Sequence, residues 1–78
     1  MNKKQKKELD EIVMKLDGVL LNLDYVITDE SFKLGNIPEN LQNSEMYEKI
    51  EDAVDILSDA KDLIMEGKEM IEELNETS

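Results

Sequence analysis

The chain reads as an all-α protein, an antiparallel two-helix hairpin expected to dimerise into a four-helix bundle. Three observations carry this reading. In the first half, Leu9, Val13, Leu16, Leu20, Leu23 and Ile27 step by four and three, which is a heptad seam. In the second half, Ile50, Ala53, Leu57, Ala60, Ile64, Gly67, Ile71 and Leu74 repeat the pattern at three and four. Between the two lies a single stretch with loop chemistry. The thirteen seam residues from Leu9 to Ile71 are the expected oligomer core.

The 78 residues form one domain, with a first helix over about 4–34, a loop over 35–43 and a second helix over about 44–75. Residues 1–8 are polar and basic and are expected to begin as a frayed tail that joins the helix between Lys4 and Glu8. In residues 12–27, eleven of sixteen side chains are apolar, far more than the roughly 100° stripe that one partner helix covers. Ile12, Val19 and Val26 lie beside the seam, and Met14, Leu21 and Tyr25 lie further round. A second hairpin is expected to cover this excess. Two endings fit the first helix. One stops near Ile27, with Thr28-Asp29-Glu30-Ser31 as a break. The other runs through Phe32 and Leu34 to a left-handed Gly35, spanning roughly 45 Å.

The loop is Gly35-Asn36-Ile37-Pro38-Glu39-Asn40-Leu41-Gln42-Asn43. Pro38 moves Ile37 out of the helical region. Ile37 and Leu41 are expected to fold back over the end of the bundle, with Asn36, Asn40 and Asn43 bonding to nearby backbone. Asn43 or Ser44 caps the second helix, with Glu45 at the positive end of its dipole. Within that helix Ala53, Ala60 and Gly67 recur every seven residues, a line expected to admit a close neighbouring backbone. Ile56, Leu63 and Met70 widen the apolar face. Asn75-Glu76-Thr77-Ser78 is expected to fray.

Two residues on from each member of the second series stands an acid: Asp52, Asp55, Asp59, Asp62, Glu66, Glu69, Glu73 and Glu76. At about 100° per residue these back the apolar stripe. Like charges three and four apart cost about 0.2–0.5 kcal/mol per pair, so seven steps cost roughly 1.5–3.5 kcal/mol, screened by salt. The acids rise about 5 Å apart, comparable with the phosphates of one nucleic-acid strand. Such a ridge is either a solvated back face or a surface for a basic partner. The residues proposed for partner binding are Asp52, Asp55, Asp59, Asp62, Glu66, Glu69 and Glu73.

Composition narrows the function classes. The net charge is −11, and residues 44–78 hold twelve acids and three lysines against eight acids and six lysines in residues 1–43. This argues against nucleic acid or an anionic membrane as partner. No run approaches the ~20 apolar residues of a membrane span. The basic start is followed by Glu8, Asp10, Glu11, Lys15 and Asp17 rather than an apolar core, so a cytoplasmic protein is expected. Cys, His and Arg are absent, which removes the usual zinc ligands, nucleophile-base pairs and triphosphate clamps. Glu8-x-x-Glu11, Glu48-x-x-Glu51 and Asp59-x-x-Asp62 have the spacing of magnesium-dependent nucleotide hydrolases, but among twenty acids such spacings arise by chance. No enzyme, cofactor or metal site is expected.

The run Asn36-Ile37-Pro38-Glu39-Asn40-Leu41-Gln42-Asn43-Ser44-Glu45, with Glu48, Glu51-Asp52-Ala53, Leu57 and Asp59-Ala60 after it, resembles small uncharacterised helical-hairpin proteins carried by bacteriophages and prophages of Gram-positive bacteria. In those a helix leads into an N-[IL]-P-E-[NS]-L-Q-x-S-E turn and an acidic helix. The likeness covers roughly residues 32–65, and Lys61 and Gly67 depart from the repeat. It implies a phage origin, residence in the host bacterial cytoplasm and no catalysis. The expectation is a non-catalytic acidic protein-binding module, an inhibitor of a host nucleic-acid-handling or defence protein acting through the second helix. Its partners would be its own second copy, as a homodimer, and a basic host protein. The alternative is a self-assembling structural protein with no acidic-face partner. A third reading is a ligand sequestrator or a degraded metal-dependent nucleotide hydrolase.

Overall fold

The computed structural model describes all residues 1–78 as two long helices that pack antiparallel. Helix α1 spans Lys3–Gly35 and helix α2 spans Glu45–Thr77. A single turn of 3-10 helix, Glu39–Leu41, lies between them. The molecule is a rod of 60 × 15 × 13 Å. No helix is long and apolar enough to cross a membrane.

α1 begins sooner than the lysine-rich start suggests. Asn2 caps it: its side chain accepts from the Gln5 N–H at 2.8 Å, and the Gln5 side chain accepts from the Asn2 N–H at 3.1 Å. This reciprocal pair satisfies two donors that the first turn leaves free, which offsets the poor placement of lysines at the positive end of the dipole. α1 does not break at Thr28–Ser31. It also ends without a left-handed residue, because Gly35 has no positive φ. Instead the N–H groups of Asn36 and Ile37 donate to the carbonyls of Lys33 and Leu34 at 3.2 and 3.3 Å. A tightened last turn thus satisfies the end carbonyls that a left-handed glycine would otherwise serve.

In the connection, the Leu41 N–H donates to the Pro38 carbonyl at 2.8 Å. Ile37 is half-buried, whereas Leu41 is exposed and does not fold back as expected. Ser44 caps α2, its Oγ accepting from the Tyr47 N–H at 3.2 Å. The far end of α2 does not fray. Thr77 Oγ1 donates to the Glu73 carbonyl at 3.0 Å and Ser78 Oγ to the Leu74 carbonyl at 2.9 Å, which also accepts the Ser78 N–H at 3.1 Å.

The core is thin. Leu20, 9% exposed, is the one buried residue. The other seam residues of α1, Leu9, Val13, Leu16, Leu23 and Ile27, are partly covered. So are Ile50, Ala53, Leu57, Ala60, Ile64, Gly67 and Ile71 of α2. Leu74 is not; it is exposed. Val54, Ser58, Lys61, Lys68 and Asn75 are partly covered as well, so the covered face of α2 is rotated from the expected series toward the residue that follows each alanine. The small-residue line receives no close backbone within the hairpin: a Cβ placed on Gly67 would meet nothing within 4 Å.

Candidate functional site

Every acid of the ridge, Asp52, Asp55, Asp59, Asp62, Glu66, Glu69, Glu73 and Glu76, is exposed. Helical geometry divides the ridge into two rows. Asp52, Asp59, Glu66 and Glu73 form one, and Asp55, Asp62, Glu69 and Glu76 form the other. Each row repeats every seven residues, and both run along the side of α2 remote from α1.

The cations of α2 are engaged elsewhere. Lys49 lies 3.4 Å from Glu45 on the same helix. Lys61 pairs with Asp24 of α1. Lys68 lies 2.5 Å from Asp17 of α1 and 3.4 Å from Glu72. The Asp17 hydrogen bond, joined by Glu72, holds the Lys68 ammonium above its ordinary 10.5 against the opposing effect of partial desolvation. None of these lysines reaches the ridge, which keeps its full charge density.

These contacts belong to a ladder. Asp10, Asp17 and Asp24 step up α1 by sevens, while Asn75, Lys68 and Lys61 step down α2 by sevens. The Asn75 amide donates to Asp10 Oδ1 at 2.6 Å and to the Lys6 carbonyl at 3.3 Å, which forms the third rung. The ladder explains the rotated face of α2. To reach Asp17 and Asp24, Lys68 and Lys61 lay their methylene stems along the seam and cover it. Sequence reasoning passed over this ladder, and its signal was the matching seven-residue spacing of the aspartates and of the two lysines with Asn75.

One flank of the hairpin is therefore polar and cross-bridged. The same heptad phase places Ile12, Val19 and Val26 of α1, and Ile56, Leu63 and Met70 of α2, on the opposite flank. All six are exposed, the first three by 42–49% and the others by 65–69%.

The spacings that resemble magnesium sites do not converge. No three acidic side chains come together to hold a metal ion. A shallow cleft beside the third rung is lined by Asp10, Val13, Glu72, Asn75 and Glu76. The enclosed Asn75 Oδ1 there accepts no bond.

No protein-family model, curated protein or solved structure matches this chain.

Proposed function

We propose that the chain is a non-catalytic protein-binding module whose contact surface is the acidic ridge of α2. One observation carries this reading: eight exposed acids stand in line while Lys61 and Lys68 turn away from them toward Asp24 and Asp17. A helix that only needed solubility would gain from lysines interleaved with the acids, since opposite charges at this spacing stabilise it. The complementary partner is a basic protein surface, of the kind that handles nucleic acid. The resemblance of residues 32–65 to phage-borne hairpins supports a host nucleic-acid-handling or defence protein as target, met in the bacterial cytoplasm. Two ridges on a dimer would offer a double line of charge.

The test is a pull-down from bacterial lysate at low and high salt, run beside the variant Asp55→Asn, Asp59→Asn, Asp62→Asn and Glu66→Gln. A basic protein held at low salt is expected to weaken at least about tenfold with the variant and to be released by salt. Equal retention of that protein by the variant would remove the ridge as the contact surface.

A second reading rests on a different observation. With Leu20 alone buried, the hairpin leaves fifteen large apolar side chains exposed, which favours a self-assembling structural protein.

A further inference from the structure

We infer that the flank formed by Ile12, Val19, Val26, Ile56, Leu63 and Met70 is the docking surface for a second copy of this chain, with α1 of one protomer lying over α2 of the other. The inference gives the self-assembly reading its surface and rests on that reading. It stands apart from the ridge reading.

A compact 9.0 kDa monomer exposes about 4,900 Å² by the usual scaling of surface with mass. This hairpin exposes 6119 Å², an excess of about 1,200 Å². A stable interface covers about 800 Å² on each partner, so one additional contact of ordinary size takes up about two-thirds of the excess.

The two flanks are not equivalent. The ladder flank carries Asp10, Asp17 and Asp24 bridged to Asn75, Lys68 and Lys61, and docking there would dehydrate paired charges. The opposite flank offers six aliphatic side chains in two parallel rows at heptad spacing, the pattern that knobs-into-holes packing requires. Beside its α2 row runs the line of Ala53, Ala60 and Gly67, which α1 leaves open at Gly67.

Charge selects the occupant's orientation. The row Asp52, Asp59, Glu66 and Glu73 borders the α2 half of the flank, each of the first three one helical turn before Ile56, Leu63 and Met70. Two α2 helices side by side would oppose these rows. The row bordering the α1 half is Glu8, Lys15, Asn22 and Asp29, which has far less negative charge. A two-fold dimer that sets each α2 on the partner's α1 satisfies both rows, since in such an interface every contact occurs twice.

Sedimentation equilibrium of the full chain over a concentration series, at low and high salt, tests the inference. The wild type is expected at twice the 9.0 kDa chain mass, and more tightly paired at high salt, because screening relieves repulsion between two chains of net charge −11. Val19→Glu and Leu63→Glu should each weaken the dimer by about a hundredfold or more, as central apolar contacts do. Leu21→Glu, an exposed apolar position outside this flank, should leave it unchanged. Circular dichroism of each variant establishes that the hairpin persists. A wild type that stays at 9.0 kDa overturns both this inference and the self-assembly reading. A dimer broken by Leu21→Glu but not by Val19→Glu or Leu63→Glu overturns the flank alone. Neither result bears on the ridge, whose complexes respond to salt in the opposite direction.

Discussion

Leu20 and Gly18 stand two residues apart on α1 and act on stability in opposite directions. Leu20 is the side chain most enclosed by the pairing of the helices. Leu20→Ala should cost about 2–3 kcal/mol, the low end for a core leucine because its surroundings are only partly closed. A Cβ at Gly18 meets nothing within 4 Å, so Gly18→Ala should stabilise the helix by about 0.5–1 kcal/mol. Urea titrations followed by circular dichroism would measure both, and equal midpoints for the two variants would refute this account of α1. Leu20 was readable from the four-and-three spacing alone. Gly35 and Gly67 were not. The first could end a helix in two ways, and the bonds to Lys33 and Leu34 decide between them. At the second, the spacing with Ala53 and Ala60 suggests a close neighbour, but within the hairpin a Cβ would meet nothing within 4 Å.

At the scale of the helices, the ladder does what the apolar seam does not. A seven-residue repeat tolerates a slip of whole heptads, because every slipped state still buries leucine and isoleucine. A slip that sets Asp24 opposite Lys68 loses one Asp–Lys pair, whereas the opposite slip re-pairs Asp17 with Lys61 and Asp10 with Lys68, and there only the Asn75 rung, with its bonds to Asp10 and the Lys6 carbonyl, is lost. Both pairs, Asp17 with Lys68 and Asp24 with Lys61, sit in a partly solvated setting, where an ion pair adds little strength. Lys61→Asp with Lys68→Asp should lower the thermal midpoint, and adding Asp17→Lys with Asp24→Lys should restore it. A quadruple variant no better than the double would show that the rungs do not stabilise the pairing of the helices. The pH response follows from the direction of the Lys68 shift. Its folded-state value lies above the ordinary 10.5, so the added stability is complete below 10.5 and is lost as pH rises through the folded value. The melting difference between wild type and Lys68→Met should therefore narrow above that point. The seam was legible because apolar periodicity survives without knowledge of the partner. The ladder was hidden because charged residues acquire meaning only once the register of two helices is known.

For the whole molecule, charge and surface area dominate. The ridge costs stability in isolation, roughly 1.5–3.5 kcal/mol before screening. Added salt should accordingly raise the thermal midpoint of the hairpin itself, and a midpoint that falls with salt would show that favourable ion pairs outweigh the ridge. The fold class could be read at this scale from two seams and one loop. The candidate site could be read only as a face, since no three acidic side chains gather at one point. Packing turns Lys61 and Lys68 toward α1, leaving the outer side of α2 uniformly negative.

The rod shape has a consequence for how the molecule moves in solution. A body of 60 × 15 × 13 Å rotates slowly end over end and quickly about its long axis. Both 33-residue helices run along that axis, and their backbone N–H bonds lie nearly along it, in opposite senses in the two helices. Nuclear spin relaxation should therefore be almost uniform from Lys3 to Gly35 and from Glu45 to Thr77, with a correlation time longer than a sphere of 9.0 kDa would have. Drag also rises with elongation, so a single chain will elute from a sizing column ahead of globular standards of its mass. Elution volume alone would then count one hairpin as two.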